Sequence, residues 1–246
     1  MKDWSFFVFN KDFELFGDQH LIVMIIMVIL SILFPIIGKK RLNSAQQLTF
    51  SRILAVTISF WALIYVVILL WLGKFNYQTD LPLDLCNITA VLLPFLMWKP
   101  SYRVHEVLYF WVLAGTVQAI ITPHLFNGFP NFIFIKYWFV HAGLVVYAIY
   151  ITIVFDYKPT LRSIWRAFLA LQAFVFVVLI INLLLGSNYV YLLHKPPIAS
   201  ALDYLGPWPW YILVAEFVAV VFFFIVYLPI LFTKKRSITT VIPNDY

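Results

Sequence analysis

One cysteine stands among polar residues in an otherwise apolar stretch. Cys86 is the only cysteine of the chain, and Asp84 and Asn87 lie beside it. Ionisable and hydrogen-bonding groups are costly at membrane depth, so they are candidates for a functional site. A thiol becomes nucleophilic when a nearby base or cation favours the thiolate. The stretch therefore predicts a nucleophile at Cys86. The alternative is a small buried apolar side chain in a helix bundle.

A histidine further along the chain can supply the base. His141 lies in the segment 136–143, where Ala142 and Gly143 permit another helix to approach closely. Glu216 can orient the imidazole, act as a protonated buried acid or join an ion pathway. For His141 the alternative is a structural hydrogen bond to a neighbouring helix.

The composition indicates a polytopic membrane protein. Hydrophobic residues make up 63% of the 246 residues, charged residues make up 11%, and the mean hydropathy is +0.93. Soluble domains contain about 25% charged residues. The apolar runs are long and do not alternate, which favours helices over a membrane barrel. The net charge of +6 comes from clustered loop residues and does not indicate nucleic-acid binding. A single cysteine excludes an internal disulfide.

The apolar runs predict an all-α bundle of seven transmembrane helices in one domain, 1–246. Each run is close to the ~20 residues that cross ~30 Å of hydrocarbon. The proline- and aromatic-rich loop 186–209 predicts an ordered cap over one end of the bundle. The predicted helices are about 20–37, 50–72, 82–98, 104–122, 134–155, 164–185 and 210–232.

The positions of the basic residues predict the orientation. Most lysines and arginines fall in the loops after the first, third and fifth helices and in the carboxyl-terminal tail. Because basic residues favour the cytoplasmic side, the amino terminus is predicted outside and the carboxyl terminus inside. Lys39, Lys40 and Arg41 follow the first helix without a cleavage pattern of small residues, so this helix is not a signal peptide.

On this topology the polar side chains gather in the outer half of the bundle. Gln118 and Thr122 share a helix face because they are four residues apart. Asp84 can instead be a helix N-cap. The inner half offers only His105, next to Glu106. The outer residues are His20, Asp84, Cys86, Asn87, Gln118, Thr122, His124, His141, Asn182 and Glu216.

The histidines show no metal-ligand spacing such as His-x-x-x-His, and no glycine-rich phosphate loop is present. No metal site and no cofactor are therefore predicted.

A set of short motifs extends along nearly the whole chain. They are FGDQH (16–20), LPLDLC (81–86), TPH (122–124), KYWFVHAG (136–143), NY (188–189), HKPP (194–197) and GPWPWY (206–211). With these motifs the chain resembles the YwaF-like family of bacterial integral membrane proteins, which is similar to animal transmembrane protein 164. The animal relative looks like a glycerophospholipid acyltransferase with a cysteine nucleophile. It is grouped with small multi-pass lipid hydrolases that use a threonine and a histidine. The resemblance implies that Cys86 is the nucleophile and His141 its base.

Two functions follow as hypotheses. The first is an intramembrane lipid acyltransferase or lipid hydrolase that acts near the outer leaflet of a bacterial plasma membrane. In this hypothesis Asn87, Gln118 or Thr122 donates a hydrogen bond to the oxyanion, and membrane lipids are the partners. The alternative is a non-enzymatic binder or transporter of a small solute. It would use the same outer polar cavity, and Glu216 would matter most.

Overall fold

The bundle was examined in a computed structural model, which describes residues 12–196 and 200–232. The basic tail residues 234–236, the amino-terminal Lys2 and Lys11, and Pro197 of the HKPP motif lie outside the described residues. Within the described part the chain is all-α, as predicted, and its only β-type pairing is an isolated bridge between Asp12 and Asn127.

Eight α-helices form the bundle in residues 12–196 and 200–232, and one π-helical segment joins the fourth to the fifth. Two short 3-10 helices, Tyr189–Tyr191 and Ala201–Leu205, lie between the last two α-helices. The α-helices are α1 (Asp18–Arg41), α2 (Ser44–Leu72), α3 (Leu85–Leu96), α4 (Tyr102–Phe110), α5 (Val117–Ile121), α6 (Phe132–Val154), α7 (Leu161–Leu185) and α8 (Trp210–Leu231), with the π segment at Trp111–Thr116.

Six helical spans of the described chain are long and apolar enough to cross a membrane. They are α1, α2, the continuous span Tyr102–Ile121, α6, α7 and α8. The remaining predicted helix, at 82–98, corresponds to α3, which has only 12 residues.

Large apolar side chains are exposed along α1, α2, α7 and α8. This is the surface expected of helices that face lipid, so the chain is a multi-pass membrane protein.

Two predicted helix starts were wrong. The second helix was predicted to begin at about residue 50, but α2 begins at Ser44. Asn43 and Gln46 form a capping box there, in which each side chain bonds the other residue's backbone N–H. The third helix was predicted at 82–98, but α3 begins only at Leu85. The predicted helix 104–122 also differs, since its middle winds as a π helix.

Helix α6 is the packing centre of the bundle. It contacts α1, α2, α3, α4, α5 and the π segment, and its residues Leu144, Ala148 and Tyr150 are fully buried. The close approach predicted at Gly143 is confirmed, because a Cβ there would lie 2.8 Å from Cγ1 of Ile58 on α2. A larger residue at this position would require the Ile58 side chain or one of the two helices to move.

The inner half of the bundle is more polar than the sequence suggested. Glu106 is 1% exposed, and Nη1 of Arg166 lies 3.0 Å from both of its carboxylate oxygens. The hydroxyl of Ser163 also donates to Glu106. Beside this group, Nε2 of His105 is 2.9 Å from the hydroxyl of Thr152. These bonds join α4 to α7 and α6, so the predicted pair of His105 and Glu106 has polar partners on α6 and α7 that the sequence did not indicate.

Arg166→Met is expected to destabilise the protein by about 3 kcal/mol, because it leaves the buried Glu106 carboxylate without its main cation. Arg103→Met is the matched control. Its guanidinium is 3.5 Å from the same carboxylate, but its side chain is 67% exposed, so its loss should cost less than about 1 kcal/mol. Thermal unfolding in detergent measures both. Equal losses would contradict the assignment of Arg166 as the main partner.

Candidate functional site

The amino-terminal turn of α3 positions Cys86. Asp84 stands at the N-cap, but its carboxylate accepts no hydrogen bond from a helix amide. It accepts instead from Nδ2 of Asn87, at 3.3 Å. This pair lies on the same helical turn as the half-buried Cys86. The alternative role of Asp84 as a side-chain cap therefore has no hydrogen bond to support it.

The Cys86 thiol contacts a hydroxyl that the sequence analysis did not select. Its Sγ is 3.3 Å from Oγ1 of Thr116, and either atom can donate the proton. Thr116 is 1% exposed and is the last residue of the π segment. Such π segments often occur at functional sites. Next to it, Gly115 is exposed, and a Cβ there would meet only Leu85, at 3.9 Å. The side of the bundle is therefore open next to Leu85, the residue before Cys86.

The ring of His141 is held by the preceding turn of α6. Its Nδ1 lies 2.8 Å from the backbone carbonyl of Tyr137. A carbonyl only accepts, so Nδ1 carries the proton and Nε2 of the neutral ring is the free base. The Tyr137 ring stacks on the imidazole, with 4.0 Å between the centroids. Glu216 therefore does not occupy the position that orients this ring.

The end of α5 has backbone carbonyls that the helix cannot satisfy. Pro123 has no N–H, so Ala119 loses the donor four residues ahead. The hydroxyl of Tyr137 donates to the Ala119 carbonyl at 2.6 Å. Nε2 of His20 lies 2.8 Å from the carbonyl of Ile120. Side chains of α6 and α1 thus serve as capping groups for this helix end.

This capping places the thiol and the imidazole at the same level of the bundle. Thr116, which contacts Cys86, lies about one turn deeper along its helix than Ala119. His141 lies about one turn deeper along α6 than Tyr137. Because Ala119 and Tyr137 are hydrogen-bonded, Cys86 and His141 occupy one layer on α3 and α6, which pack together.

No direct hydrogen bond joins Cys86 to His141 among the described residues. Tyr137 stacks on His141 and is close enough to Cys86 for the two side chains to interact electrostatically. The Cys86–His141 pair therefore stays a prediction.

A lysine lies at the outer edge of this layer. Lys136 precedes Tyr137 on α6, and its charge interacts with that of Asp84. Its ammonium is 5.0 Å from the centroid of the Tyr65 ring. The site therefore combines a half-buried thiol and imidazole with a cation nearer to the end of the helix.

His20 is a structural residue in this arrangement. It is fully buried, its Nδ1 accepts from the backbone N–H of Phe16 at 3.0 Å, and its Nε2 is bonded to Ile120. The rings of Phe13 and Trp138 pack against it. Both ring nitrogens are therefore occupied, and neither is available for a substrate.

The other predicted site residues lie at the edge of the layer. Gln118, Thr122 and His124 are exposed. The Thr122 hydroxyl donates to the backbone carbonyl of Gln118, and the His124 ring packs on Phe126. Glu216 is half-buried on α8, and no hydrogen bond or ion pair involves it in the described part of the chain.

The segment after α7 is fastened to the loop before α3. The fully buried Asn182 binds both the N–H and the C=O of Tyr189 through its side-chain amide. The Tyr189 hydroxyl accepts from the N–H of Leu81 and donates to the carbonyl of Tyr77. Burial raises the pKa of this phenol. Val190 has a φ of 58°, which is strained for a β-branched residue.

Two members of the layer were missed by the sequence analysis. Thr116 had a signal, as a hydroxyl residue next to Gly115 in an apolar helix. Tyr137 also had one, since it lies one turn before His141. In the described residues, no group of three or more His, Cys, Asp or Glu side chains could hold a metal ion.

A comparison with known families gives a match over most of the chain. The model of the TMEM164 family matches residues 15–227, which include every helix down to most of α8. The predicted resemblance to transmembrane protein 164 is therefore confirmed, and the YwaF-like assignment stays a prediction. No curated protein and no solved structure matches the chain significantly.

His20→Ala is expected to destabilise the bundle by about 1–3 kcal/mol, because it leaves the Ile120 carbonyl and the Phe16 amide unpaired. His124→Ala is the control, since its ring is exposed near the same end. Denaturant unfolding of the purified proteins measures the difference. If His20→Ala unfolded like the wild type, the structural role of this histidine would be wrong.

Proposed function

The chain belongs to the TMEM164 family of membrane proteins, and we propose that it is an intramembrane lipid acyltransferase or lipid hydrolase. Cys86 is its nucleophile and His141 its general base. The observation that carries this proposal is the common layer of the two side chains on α3 and α6, with the Nδ1–H of His141 fixed to Tyr137. That bond leaves Nε2 as the proton acceptor.

The proposed reaction has two steps. In the first, Nε2 of His141 takes the thiol proton while Sγ of Cys86 attacks the carbonyl carbon of a lipid ester. The C–O bond of the ester breaks, and the alcohol leaves with the proton from His141. In the second, a hydroxyl of an acceptor lipid or a water loses its proton to His141 and attacks the thioester. The C–S bond breaks, and the thiolate regains the proton.

The developing oxyanion needs a hydrogen-bond donor close to Cys86. Thr116 has the hydroxyl nearest to the thiol, at 3.3 Å, and Asn87 lies one residue beyond Cys86 on the same helical turn. These two are better placed than Gln118 and Thr122, which are exposed nearer to the helix end.

A lipid ester can reach the thiol from the side of the bundle. Gly115 is exposed on the π segment, and its missing side chain leaves open space beside Leu85 of α3. A lipid held there would have its acyl chain among apolar side chains and its polar end near Lys136. We place this site in the outer leaflet of a bacterial plasma membrane, with the amino terminus outside.

The alternative function is a binder or transporter for a small cationic solute. The observation in its favour is the half-buried carboxylate of Glu216, which has no ion-pair partner in the described bundle. In this case Cys86 would be dispensable, and Glu216→Gln would abolish solute binding.

Cys86 is expected to react with an iodoacetamide probe at neutral pH in the wild type. His141→Ala should slow this labelling by at least about 10²-fold, since a positioned base contributes at least that factor. The measurement is the labelling rate over a pH series in lipid, with His124→Ala as the matched control. The chain has one cysteine, so the signal has a single source. Labelling that occurs only at alkaline pH and is unchanged in His141→Ala would favour the alternative function.

A covalent acyl-enzyme is expected when the purified protein is incubated with a phospholipid. Intact-protein mass spectrometry should detect the added acyl mass, and hydroxylamine should remove it because a thioester is labile to that nucleophile. Cys86→Ala should abolish the adduct while unfolding at the wild-type temperature. An adduct that persists in Cys86→Ala would disprove the assigned nucleophile.

A further inference from the structure

A second feature of the bundle lies away from Cys86 and His141. An apolar groove of about 560 Å³ runs between α1 and α6. Ligand pockets commonly enclose about 300–1,000 Å³. On α1 the groove extends from Met27 to Lys40, and on α6 it is lined by Val145, Ile149 and Ile153. All of these α6 residues come after His141, so the groove lies toward the other end of the bundle.

The length of the groove matches one leaflet of a bilayer. The 13 residue steps from Met27 to Lys40 rise by about 20 Å along a helix. Half of a ~30 Å hydrocarbon core is about 15 Å. The groove therefore extends from near the middle of the membrane to the headgroup region, which is the course of a phospholipid acyl chain.

Two cations stand at the headgroup end of the groove. Lys39 and Lys40 line it, are exposed, and have no ion pair with any carboxylate in the described chain. They are in the last turn of α1, followed by Arg41. A phosphate at this level would meet two ammonium groups with no competing acid.

We propose that this groove binds one anionic phospholipid of the leaflet opposite to the candidate active site. One acyl chain lies along the apolar side chains between α1 and α6, and the phosphate lies against Lys39 and Lys40. By the predicted orientation this is the cytoplasmic leaflet. The proposal is independent of the reaction at Cys86, because none of the groove residues belongs to that site.

The hydroxyl of Ser31, a polar group inside the groove, bears on which residues recognise the lipid headgroup. The hydroxyl of Ser31 is buried without a hydrogen-bond partner in the described structure. It lies eight residues before Lys39, about 12 Å deeper along the helix. This is too deep for a headgroup, so headgroup selectivity must come from the lysines, and Ser31→Ala should leave it unchanged.

The test is native mass spectrometry of the full chain, titrated with phosphatidylglycerol or phosphatidylcholine of identical acyl chains. The wild type should retain one phosphatidylglycerol in preference to phosphatidylcholine. The double variant Lys39→Gln and Lys40→Gln should reduce that preference roughly tenfold, because juxtamembrane lysines contribute to the attraction of anionic lipids. The matched control is Lys99→Gln with Arg162→Gln, which removes two exposed charges outside the groove.

A second pair of variants tests the groove itself. Ile32→Trp should fill it and weaken retention of the lipid, whereas Ile29→Trp, on an exposed part of α1 outside the lining, should not. The proposal would be overturned if the Lys39/Lys40 and the Lys99/Arg162 double variants lost the preference for phosphatidylglycerol equally. That result would mean a general attraction of the lipid to basic loops. Wild-type retention in Ile32→Trp would overturn it as well.

Discussion

The hydrogen bond from the Tyr137 hydroxyl to the Ala119 carbonyl fixes how α6 lies against the helix that carries Thr116. It exists because Pro123 cannot donate an amide hydrogen to that carbonyl. Within a membrane there is no water to satisfy the exposed group, so a side chain of another helix must do so. The same rule applies one residue later, where His20 is bonded to Ile120. Two motifs of the family resemblance, FGDQH and TPH, thus contribute to helix termination and capping.

This constraint links the packing of the bundle to its candidate chemistry. The ring of Tyr137 stacks on His141 while its hydroxyl donates to Ala119, and the same bond brings Thr116, and with it Cys86, to the level of that imidazole. A single aromatic side chain therefore caps the helix end and packs against the candidate base. The π segment Trp111–Thr116 adds to this, because it ends at the residue that contacts the thiol.

The polar side chains at the two ends of the bundle differ in whether they have hydrogen-bond partners. At the inner end Glu106 is enclosed by Arg166 and Ser163, and these groups satisfy one another. Such a closed network fastens helices together and offers little to a substrate. At the other end the thiol is half-buried, and the free Nε2 of His141 has no hydrogen bond within the described chain. Groups left unpaired in this way are available to a ligand, and this difference distinguishes a candidate site from a structural cluster.

The sequence by itself determined the fold class and the approximate spans of the helices, because ~20 apolar residues suffice to cross the membrane core. It also predicted that Cys86, His141 and His20 lie at the same end of the bundle. It did not determine the capped start of α2, the π turn or the inner cluster around Glu106. Nor did it distinguish His20, with both nitrogens occupied, from His141, with one nitrogen free. Those distinctions depend on which carbonyls and carboxylates meet each side chain across helix contacts, and only the tertiary structure sets these partners.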